Sequence, residues 1–492
     1  MITRRDLLRT GAAGAAAALA APGLDLAPLA RAATGSPGHA LGFSSLHDEI
    51  RLARLPQDGA FPDWLRGTLV RNGPGLFEVG ERSFNHWFDG LAMLHGFTFG
   101  DGRVSYANRY LRSSAYHAWK RHGEIRYSEF GTDPCRSIFK GAAAMYVPAE
   151  VPNASVSIVK LAERFVALTE IPIPVEFDPR TLKTLGVRND APLATLETAH
   201  PHVAGDGVFS YRTTLVPPAG YAILRDGKPL AEIPEPEPAY IHSFALTRRY
   251  AVLVDWPFAM NPLDVLSGWK PVVEFFRWDA SSRPSRFFVV DRESGELVAR
   301  LEAPPFFAFH HVNAFERDGR IELDLCAYDD AEVVSAVYLK RLRSASPGLP
   351  IPRLRRYTLD LARGAMTSRE LSRTSLELPR AHPDADGRPY RYAYGVSLRD
   401  ERRSRFVDQI AKIDVERGGE RTWSAPGCYP GEPVFVPAPH ARREDDGVVL
   451  SVVLDARKRT SFLLALDGRT FAERARATVP HHIPFGFHGA LL

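Results

Sequence analysis

The chain has few cysteines and nearly equal numbers of acidic and basic residues, and each feature excludes some classes of protein. Three cysteines, Cys135, Cys326 and Cys428, lie far apart among 492 residues, so no disulfide framework is predicted. The 62 Lys and Arg face 58 Asp and Glu, and a formal charge of +4 argues against nucleic acid as the main partner. No apolar run reaches the roughly 18 residues that a transmembrane helix needs. HExxH, CxxC, P-loop and GxSxG motifs are also missing, so no short catalytic motif identifies an activity.

The first 32 residues are similar to a twin-arginine export signal. The segment TRRDLLR (3–9) stands before an Ala- and Leu-rich stretch, and the small-x-small sequence ARA (30–32) follows it. We therefore predict a signal peptide over 1–32, a periplasmic location, and a single domain over 33–492.

The remainder of the chain has the pattern of consecutive β-hairpins. HGFTFGDGRVSYANRY (95–110) alternates apolar and polar residues around a Gly-Asp-Gly turn, which is a strong hairpin signal. A related unit, an apolar strand ending in Asp followed by a turn and a second strand, recurs at 175–187, 287–301, 357–371, 411–425 and 463–479. Recurrence along the whole chain favours radially repeated sheets over a β-sandwich. We predict an all-β fold, a seven-bladed β-propeller whose inserted loops and short helices form a cap over the top face.

Four of the 16 histidines have surroundings that suit a metal ligand. They are His200 in ETAHPHVAGDG, His242 in YIHSFALTRRY, His310 in FFAFHHVNAFERDG and His488 in IPFGFHGALL. A neutral imidazole at an apolar strand end can bind a transition metal if its other nitrogen meets an acceptor. Separations of 42, 68 and 178 residues suit ligands from different blades that converge on the axis. Taken singly, each is more often a hydrogen-bonded core histidine.

Several longer motifs resemble the carotenoid cleavage oxygenase family. They are LRGTLVRNGPGLFEVG (65–80), HWFDGLAMLHGFTF (86–99), EFGTDPCRSIF (129–139), RYAYGVSL (391–398), CYPGEPVFVPAP (428–439), EDDGVVLSVVLD (444–455) and FGFHG (485–489). Their order from about residue 44 to the C-terminus is typical of that family. The pattern leans toward the branch that contains the animal β-carotene oxygenases and the retinal-pigment isomerase.

This resemblance implies a seven-bladed propeller with one Fe(II) per chain on His200, His242, His310 and His488. Within HPH it favours His200 over His202, and within Phe-His-His it favours His310 over His311. Because neighbouring residues of a strand point to opposite faces, only one histidine of the second pair is expected to face the axis.

The resemblance further implies that Glu170, Glu377 and Glu432 each accept a hydrogen bond from the Nδ1–H of a liganding histidine. A carboxylate in this position fixes the histidine tautomer that presents Nε2 to the metal. Phe306, Phe307 and Phe309 are predicted walls of a substrate tunnel, and Val156 is predicted to lie near the open coordination position.

The predicted activity is oxidative cleavage of a conjugated C=C bond of a carotenoid or apocarotenoid by O2, giving two carbonyl products. One alternative is cleavage of stilbenoids, which requires a Tyr and a Lys to bind a phenol; Tyr106, Tyr110, Lys120 and Lys140 are the available residues. A second is isomerisation with ester cleavage, and a third is a metal-free binding scaffold. The apolar segment 256–278, interrupted by Pro and Gly, is predicted either to touch a membrane surface or to be a buried insert.

Overall fold

The computed structural model describes residues 37–125, 129–132, 153–187, 195–266, 270–403 and 406–492. Gly38–Leu492 forms one compact unit. The signal predicted at 1–32 lies outside the described residues and stays a prediction.

Most of the described chain is β-structure, and its strands are numbered here along the sequence. The first half contains β1 (Arg51–Leu52), β2 (Gln57–Gly59), β3 (Gly67–Leu76), β4 (Glu78–Val79), β5 (Arg82–Ser83), β6 (Leu91–Gly100), β7 (Arg103–Tyr110), β8 (Ser157–Leu161), β9 (Arg164–Leu168), β10 (Val175–Phe177), β11 (Thr184–Val187), β12 (Thr195–Glu197), β13 (His202–Ala204), β14 (Gly207–Thr214), β15 (Gly220–Arg225), β16 (Lys228–Pro234), β17 (Ala245–Leu246) and β18 (Tyr250–Asp255). The second half contains β19 (Phe258–Ala259), β20 (Arg277–Trp278), β21 (Ser285–Asp291), β22 (Leu297–Ala303), β23 (Phe307–Arg317), β24 (Arg320–Tyr328), β25 (Arg353–Asp360), β26 (Ala365–Ser375), β27 (Glu377–Arg380), β28 (Tyr392–Ser397), β29 (Gln409–Asp414), β30 (Glu420–Trp423), β31 (Cys428–Pro430), β32 (Val434–Pro437), β33 (Gly447–Asp455), β34 (Thr460–Asp467), β35 (Glu473–Thr478) and β36 (Gly489–Leu491).

Seven antiparallel sheets of four or more strands form the blades of a propeller, which confirms the predicted fold. Blade 1 joins β3, β6 and β7 with β1 and β36; blade 2 is β8–β11; blade 3 is β12–β16; blade 4 is β17, β18, β21 and β22; blade 5 is β23–β26; blade 6 is β27–β30; blade 7 joins β31–β35 with β2. The ring is closed from both chain ends. The N-terminal β2 pairs with β35 of the last blade, and the C-terminal β36 pairs with β3 of the first.

Local turn chemistry explains the hairpins. All six predicted segments are hairpins, in which β6–β7, β10–β11, β21–β22, β25–β26, β29–β30 and β34–β35 pair. Asp101 and Gly102 both adopt positive φ between β6 and β7, as a tight two-residue turn requires. In the other units the strand-end Asp accepts backbone N–H groups of its own turn: Asp178 Oδ1 lies 2.9 Å from Arg180 N and 2.8 Å from Thr181 N.

Short helices lie in the connections between strands. They are α1 (Ser114–His122), α2 (Pro262–Leu266), α3 (Glu332–Ala336) and α4 (Leu339–Leu342), with 3₁₀ turns at Gly38–Phe43, Trp87–Asp89, Val272–Phe275, Pro383–Ala385 and Glu401–Arg403. α1 is the longest, because Ser113 caps its first turn by accepting from Tyr116 N and Gly123 ends it at φ 64°. The β24–β25 connection that carries α3 and α4 lies over the candidate site described below.

Within the described residues, no helix is long and apolar enough to cross a membrane. In the predicted membrane-contact segment 256–278, the side chains of Trp256, Phe275 and Phe276 are buried, whereas Leu263 is 63% exposed. Contact of this segment with a membrane stays a prediction. Cys326 and Cys428 are buried free thiols, and Cys135 lies outside the described residues.

Candidate metal centre and substrate cavity

Each of the seven blades contributes one of the predicted site residues near the strand closest to the axis. Four are the histidines: His200 just before β13, His242 before β17, His310 within β23 and His488 directly before β36. Three are the glutamates: Glu170 after β9, Glu377 at the start of β27 and Glu432 between β31 and β32. The fold therefore brings together side chains that lie up to 318 residues apart in sequence, from Glu170 to His488.

The four histidines converge so that one nitrogen of each lies within 4.8 Å of the others. His200 Nε2 is 2.9 Å from His242 Nε2, and His310 Nε2 is 3.1 Å from His488 Nε2. The rings of His200 and His488 are nearly perpendicular, at an interplanar angle of 86°. This arrangement points four ring nitrogens at one small volume.

Three of the four histidines donate Nδ1–H to a buried or half-buried carboxylate. His242 Nδ1 is 2.6 Å from Glu170 Oε1, and His310 Nδ1 is 2.6 Å from Glu377 Oε2. His488 Nδ1 is 2.7 Å from Glu432 Oε1. These are the three pairings in which a carboxylate fixes the ring tautomer.

The glutamates are themselves held by further donors. Tyr240 OH donates to Glu170 over 2.7 Å, and Tyr328 OH donates to Glu377 over 3.2 Å. Burial raises the pKa of both tyrosines, so both keep the proton they donate. Glu432 is bound instead by arginines, and these, with His488, hold its pKa below its ordinary value despite complete burial.

The donor set fits a divalent transition metal. A neutral ring that donates Nδ1–H has a lone pair on Nε2, so in their neutral forms His310 and His488 direct two lone pairs at each other across 3.1 Å, and these repel. Burial lowers the pKa of His488 to about 3 and that of His200 well below its ordinary value, so both rings are neutral at pH 7. A cation at the point of convergence turns this repulsion into coordination.

His200, not the neighbouring His202, joins the cluster. His202 begins β13 and donates Nδ1–H to Asp386 over 2.8 Å, while its Nε2 lies 3.1 Å from Phe244 O. His200 is the most exposed of the four clustered histidines, and no carboxylate among the described residues bonds its Nδ1.

His310, not His311, faces the other histidines. His311 Nδ1 lies 2.9 Å from Ser243 Oγ, and its ring stacks on Trp256. The strict alternation expected here is interrupted, because the register between β23 and β24 shifts from Ala308 to His311. This β-bulge places two residues opposite one and turns His310 toward the axis.

An apolar cavity borders His242, His310 and His488. Its wall comes from several blades and from the connections above them: Trp87, Phe88, Val156, Phe309, Tyr328, Val333, Val337, Leu349, Pro350, Pro352, Ser375, Glu377, Leu378, Val396, Ser397, Leu398, Phe406, Val407 and Phe487. None of these described wall residues is a lysine or an arginine. A second cavity shares Phe88 and Val156 with the first and reaches Glu170 and Tyr240, so the space on this side extends further.

Two predicted tunnel residues lie elsewhere. Phe309 and Val156 line the apolar cavity as expected, whereas Phe306 and Phe307 do not. Phe306 packs in the core against Trp256 and Tyr357, and Phe307 packs against Trp256 as well. Adjacency to His310 in sequence did not predict their positions, because both rings are buried in the hydrophobic core.

A polar chamber borders His200, His310 and His488 from another side. It has a volume of about 360 Å³, and Ser243, Asn313, Arg380 and Asp386 are among the residues that line it. The two cavities have only His310 and His488 in common. Sequence reasoning missed this chamber and Arg380, although ELPR places Arg380 three residues after Glu377.

The fold and the site together define a β-propeller with a cluster of four histidines at its centre. A family model described as retinal pigment epithelial membrane protein matches residues 43–491. A carotenoid isomerooxygenase of Galleria mellonella is 34% identical, with 88% of this chain and 92% of the relative covered. A β,β-carotene 15,15'-dioxygenase of Rattus norvegicus is 32% identical, with 90% of each chain covered.

Solved structures agree with these relatives. A variant of the apocarotenoid oxygenase of Synechocystis is 30% identical and has a TM-score of 0.80, with 92% of this chain and 98% of that chain covered. A cobalt-substituted form of the same oxygenase gives a TM-score of 0.81 at 29% identity. The chain therefore belongs to the carotenoid cleavage oxygenase family, as its motifs predict.

Proposed function

We propose that this protein is an Fe(II)-dependent dioxygenase that cleaves one conjugated C=C bond of a carotenoid or apocarotenoid with O2, giving two carbonyl products. The observation that carries this proposal is the position of the histidine cluster. Three of its rings form part of the wall of a largely apolar cavity, so a hydrocarbon chain in that cavity lies against the metal centre.

The chain's own residues bind and orient the substrate and keep water away. Aromatic and aliphatic walls such as Phe88, Phe309 and Leu398 favour a polyene by burying its surface, at about 25 cal/mol per Å². A polyene carries no group that needs acid–base help, so a dry cavity and correct register along the wall suffice.

One iron per chain fits the cluster of His200, His242, His310 and His488. Imidazole suits Fe(II), and four such ligands leave two positions of an octahedron. Fe(II), when bound, would supply the activation of O2. A relative of the same fold was solved in a cobalt-substituted form, which supports a metal in this fold.

The stilbenoid alternative is less well supported by the placement of its candidate residues. Tyr106 OH bonds His95, and Tyr110 OH donates to Leu46 O, in both cases inside the core. Lys120 lies on α1 over the ring of Trp119. None of these residues lines the apolar cavity, and Lys140 lies outside the described residues.

A product assay tests the proposal. Iron-loaded protein is incubated with a β-apo-carotenal and, separately, with resveratrol, and the products are identified by chromatography and mass spectrometry. Metal-free protein is the control. We expect two shorter carbonyl products from the polyene. Aromatic aldehydes from resveratrol alone would reject the carotenoid assignment, and a geometric isomer as the only product would favour the isomerase alternative.

We also propose export by the twin-arginine route, on the basis of residues 1–32. Replacing Arg4 and Arg5 by lysine is expected to leave the protein in the cytoplasmic fraction. Periplasmic recovery of that variant at the wild-type level would contradict the assignment.

A further inference from the structure

His488 differs from the other three clustered histidines in how the chain holds it. It directly precedes β36, the short strand that pairs with β3 and closes the ring. The position of its ring relative to the other three therefore depends on what holds residues 487–489 in place.

Two arginines provide contacts on both sides of His488. Arg71 donates to Glu432 Oε2 and, over 2.7 Å, to the carbonyl of Phe487. Arg380 donates Nε–H to Glu432 Oε1 over 2.8 Å and a terminal N–H to the carbonyl of Gly489 over 2.8 Å. The carbonyls before and after His488 are thus each held by one guanidinium, and both guanidiniums are held by Glu432.

The same Glu432 accepts from His488 itself. Oε1 receives Nδ1–H of His488 over 2.7 Å, and Oε2 receives the N–H of Gly489 over 3.0 Å. Among the described residues, the other two glutamates lack such an arginine pair. Glu170 accepts from Tyr240 and Glu377 accepts from Tyr328. The arginines therefore occur at the one clustered histidine that directly precedes the strand closing the ring.

We propose that Arg71 and Arg380 are positioning residues that hold His488 ready for the metal, by fixing Glu432 and the backbone on either side of it. Neither guanidinium needs to touch metal or substrate. The inference rests on the proposed function only in that the four histidines bind a metal.

The two arginines differ in accessibility, and this difference gives a specific test. The side chain of Arg71 is 7% exposed, whereas that of Arg380 is 38% exposed and lines the polar chamber. A small guanidinium ion can therefore reach the place of a truncated Arg380 side chain from the chamber, but not that of Arg71. Lysine cannot replace Arg380, because one ammonium cannot reproduce two N–H donors with a fixed planar spacing.

The experiment measures Co(II) binding to metal-free protein by its visible absorption. Arg380→Gln and Arg380→Lys are expected to weaken Co(II) binding about 10–100-fold, as loss of a residue supporting a metal ligand commonly does. Low-millimolar guanidinium chloride should restore most of the affinity of Arg380→Ala. Hydrogen exchange of the metal-free Arg380→Gln protein should be faster at residues 487–492 than in wild type.

Arg343→Gln is the matched control. Arg343 is 31% exposed and, like Arg380, donates to one carboxylate, Glu78, and one backbone carbonyl, that of Phe43. The Arg343→Gln variant should have a lower melting temperature than wild type and an unchanged affinity for Co(II). Wild-type affinity in Arg380→Gln, or loss of affinity that guanidinium does not restore in Arg380→Ala, would overturn the inference. Wild-type protein that binds no metal would overturn the proposed metal site as well.

Discussion

The two cavities that meet at the histidine cluster differ in almost every wall residue, and the change occurs within single steps of the chain. Val156, His242 and Leu378 line the apolar cavity, and the residue after each of them, a serine in two cases and Pro379 in the third, lines the polar chamber. Adjacent positions of the chain thus face different cavities beside the histidine cluster. The blades supply an apolar wall and a more polar wall from the same short segments.

This difference assigns separate roles to the two sides. A polyene loses nothing by leaving water for the apolar cavity, whereas an ion would lose its hydration there at high cost. Arg380, which lines the polar chamber, instead donates to Glu432, and Glu432 accepts from the ring of His488. Variants on the apolar side should therefore change turnover, and variants of the rings should change both turnover and metal.

The largest effect is expected from removing a ring. His242→Ala deletes one of the four proposed nitrogen ligands and leaves Glu170 with Tyr240 as its remaining donor. We expect bound iron to fall below one tenth of wild type and cleavage to be abolished, while circular dichroism still reports a β-rich fold. One equivalent of iron in this variant would contradict the assignment.

The pair His310 and His311 tests the bulge in β23. His310→Ala should lose iron, whereas His311→Ala should keep it and lose roughly 1–3 kcal/mol of stability, since its ring bonds Ser243 and stacks on Trp256 outside the histidine cluster. Iron content by mass spectrometry and melting temperature are measured on both. The reverse pattern would mean that the strand register is one residue out.

A matched pair of asparagines separates the two cavities. Leu398→Asn puts an amide into the wall of the apolar cavity, and Ala381→Asn puts the same amide into the polar chamber. The two variants are compared at equal iron content. Polyene cleavage should fall about tenfold or more in Leu398→Asn, because an unpaired buried amide costs roughly 1–3 kcal/mol. In Ala381→Asn, cleavage should change less than about twofold. Equal losses would remove the distinction between the two sides.

The smallest effect is expected at the blade edge, away from both cavities. The N–H of Thr181 is the main cause of the lowered pKa of Asp178, so its stabilisation is present above about pH 3.9 and is lost as the pH falls below it. Asp178→Ala should cost about 1 kcal/mol at pH 7 and less at pH 3, without loss of iron. Thermal unfolding at the two pH values measures this, and a difference that grows in acid would contradict it.

Much of the fold could be predicted because its signals are local. Alternation, strand-end Asp residues and Gly-containing turns lie within about 15 residues of one another, and each predicted hairpin is present. The family motifs also located the clustered histidines and their glutamates. What they could not show is which blades each pairing joins, for example that Glu170 of blade 2 bonds His242 of blade 4 across blade 3.

The cavity walls were harder to predict because they are assembled from distant segments. Val333, Leu349 and Phe406 come from connections whose sequences carry no strand or metal signal. Phe306 and Phe307 were predicted as tunnel walls because they lie beside His310 in sequence, yet both pack on Trp256 in the hydrophobic core. Side-chain direction near a bulge depends on the partner strand, which sequence alone does not specify.

Labelled oxygen tests the central claim most directly. Iron-loaded protein is given an apocarotenoid under ¹⁸O2, the aldehydes are reduced at once to alcohols to stop exchange with water, and both products are analysed by mass spectrometry. Cleavage by a dioxygenase at the four-histidine centre predicts one ¹⁸O atom in each of the two products. Label in only one product, or in neither, would contradict it.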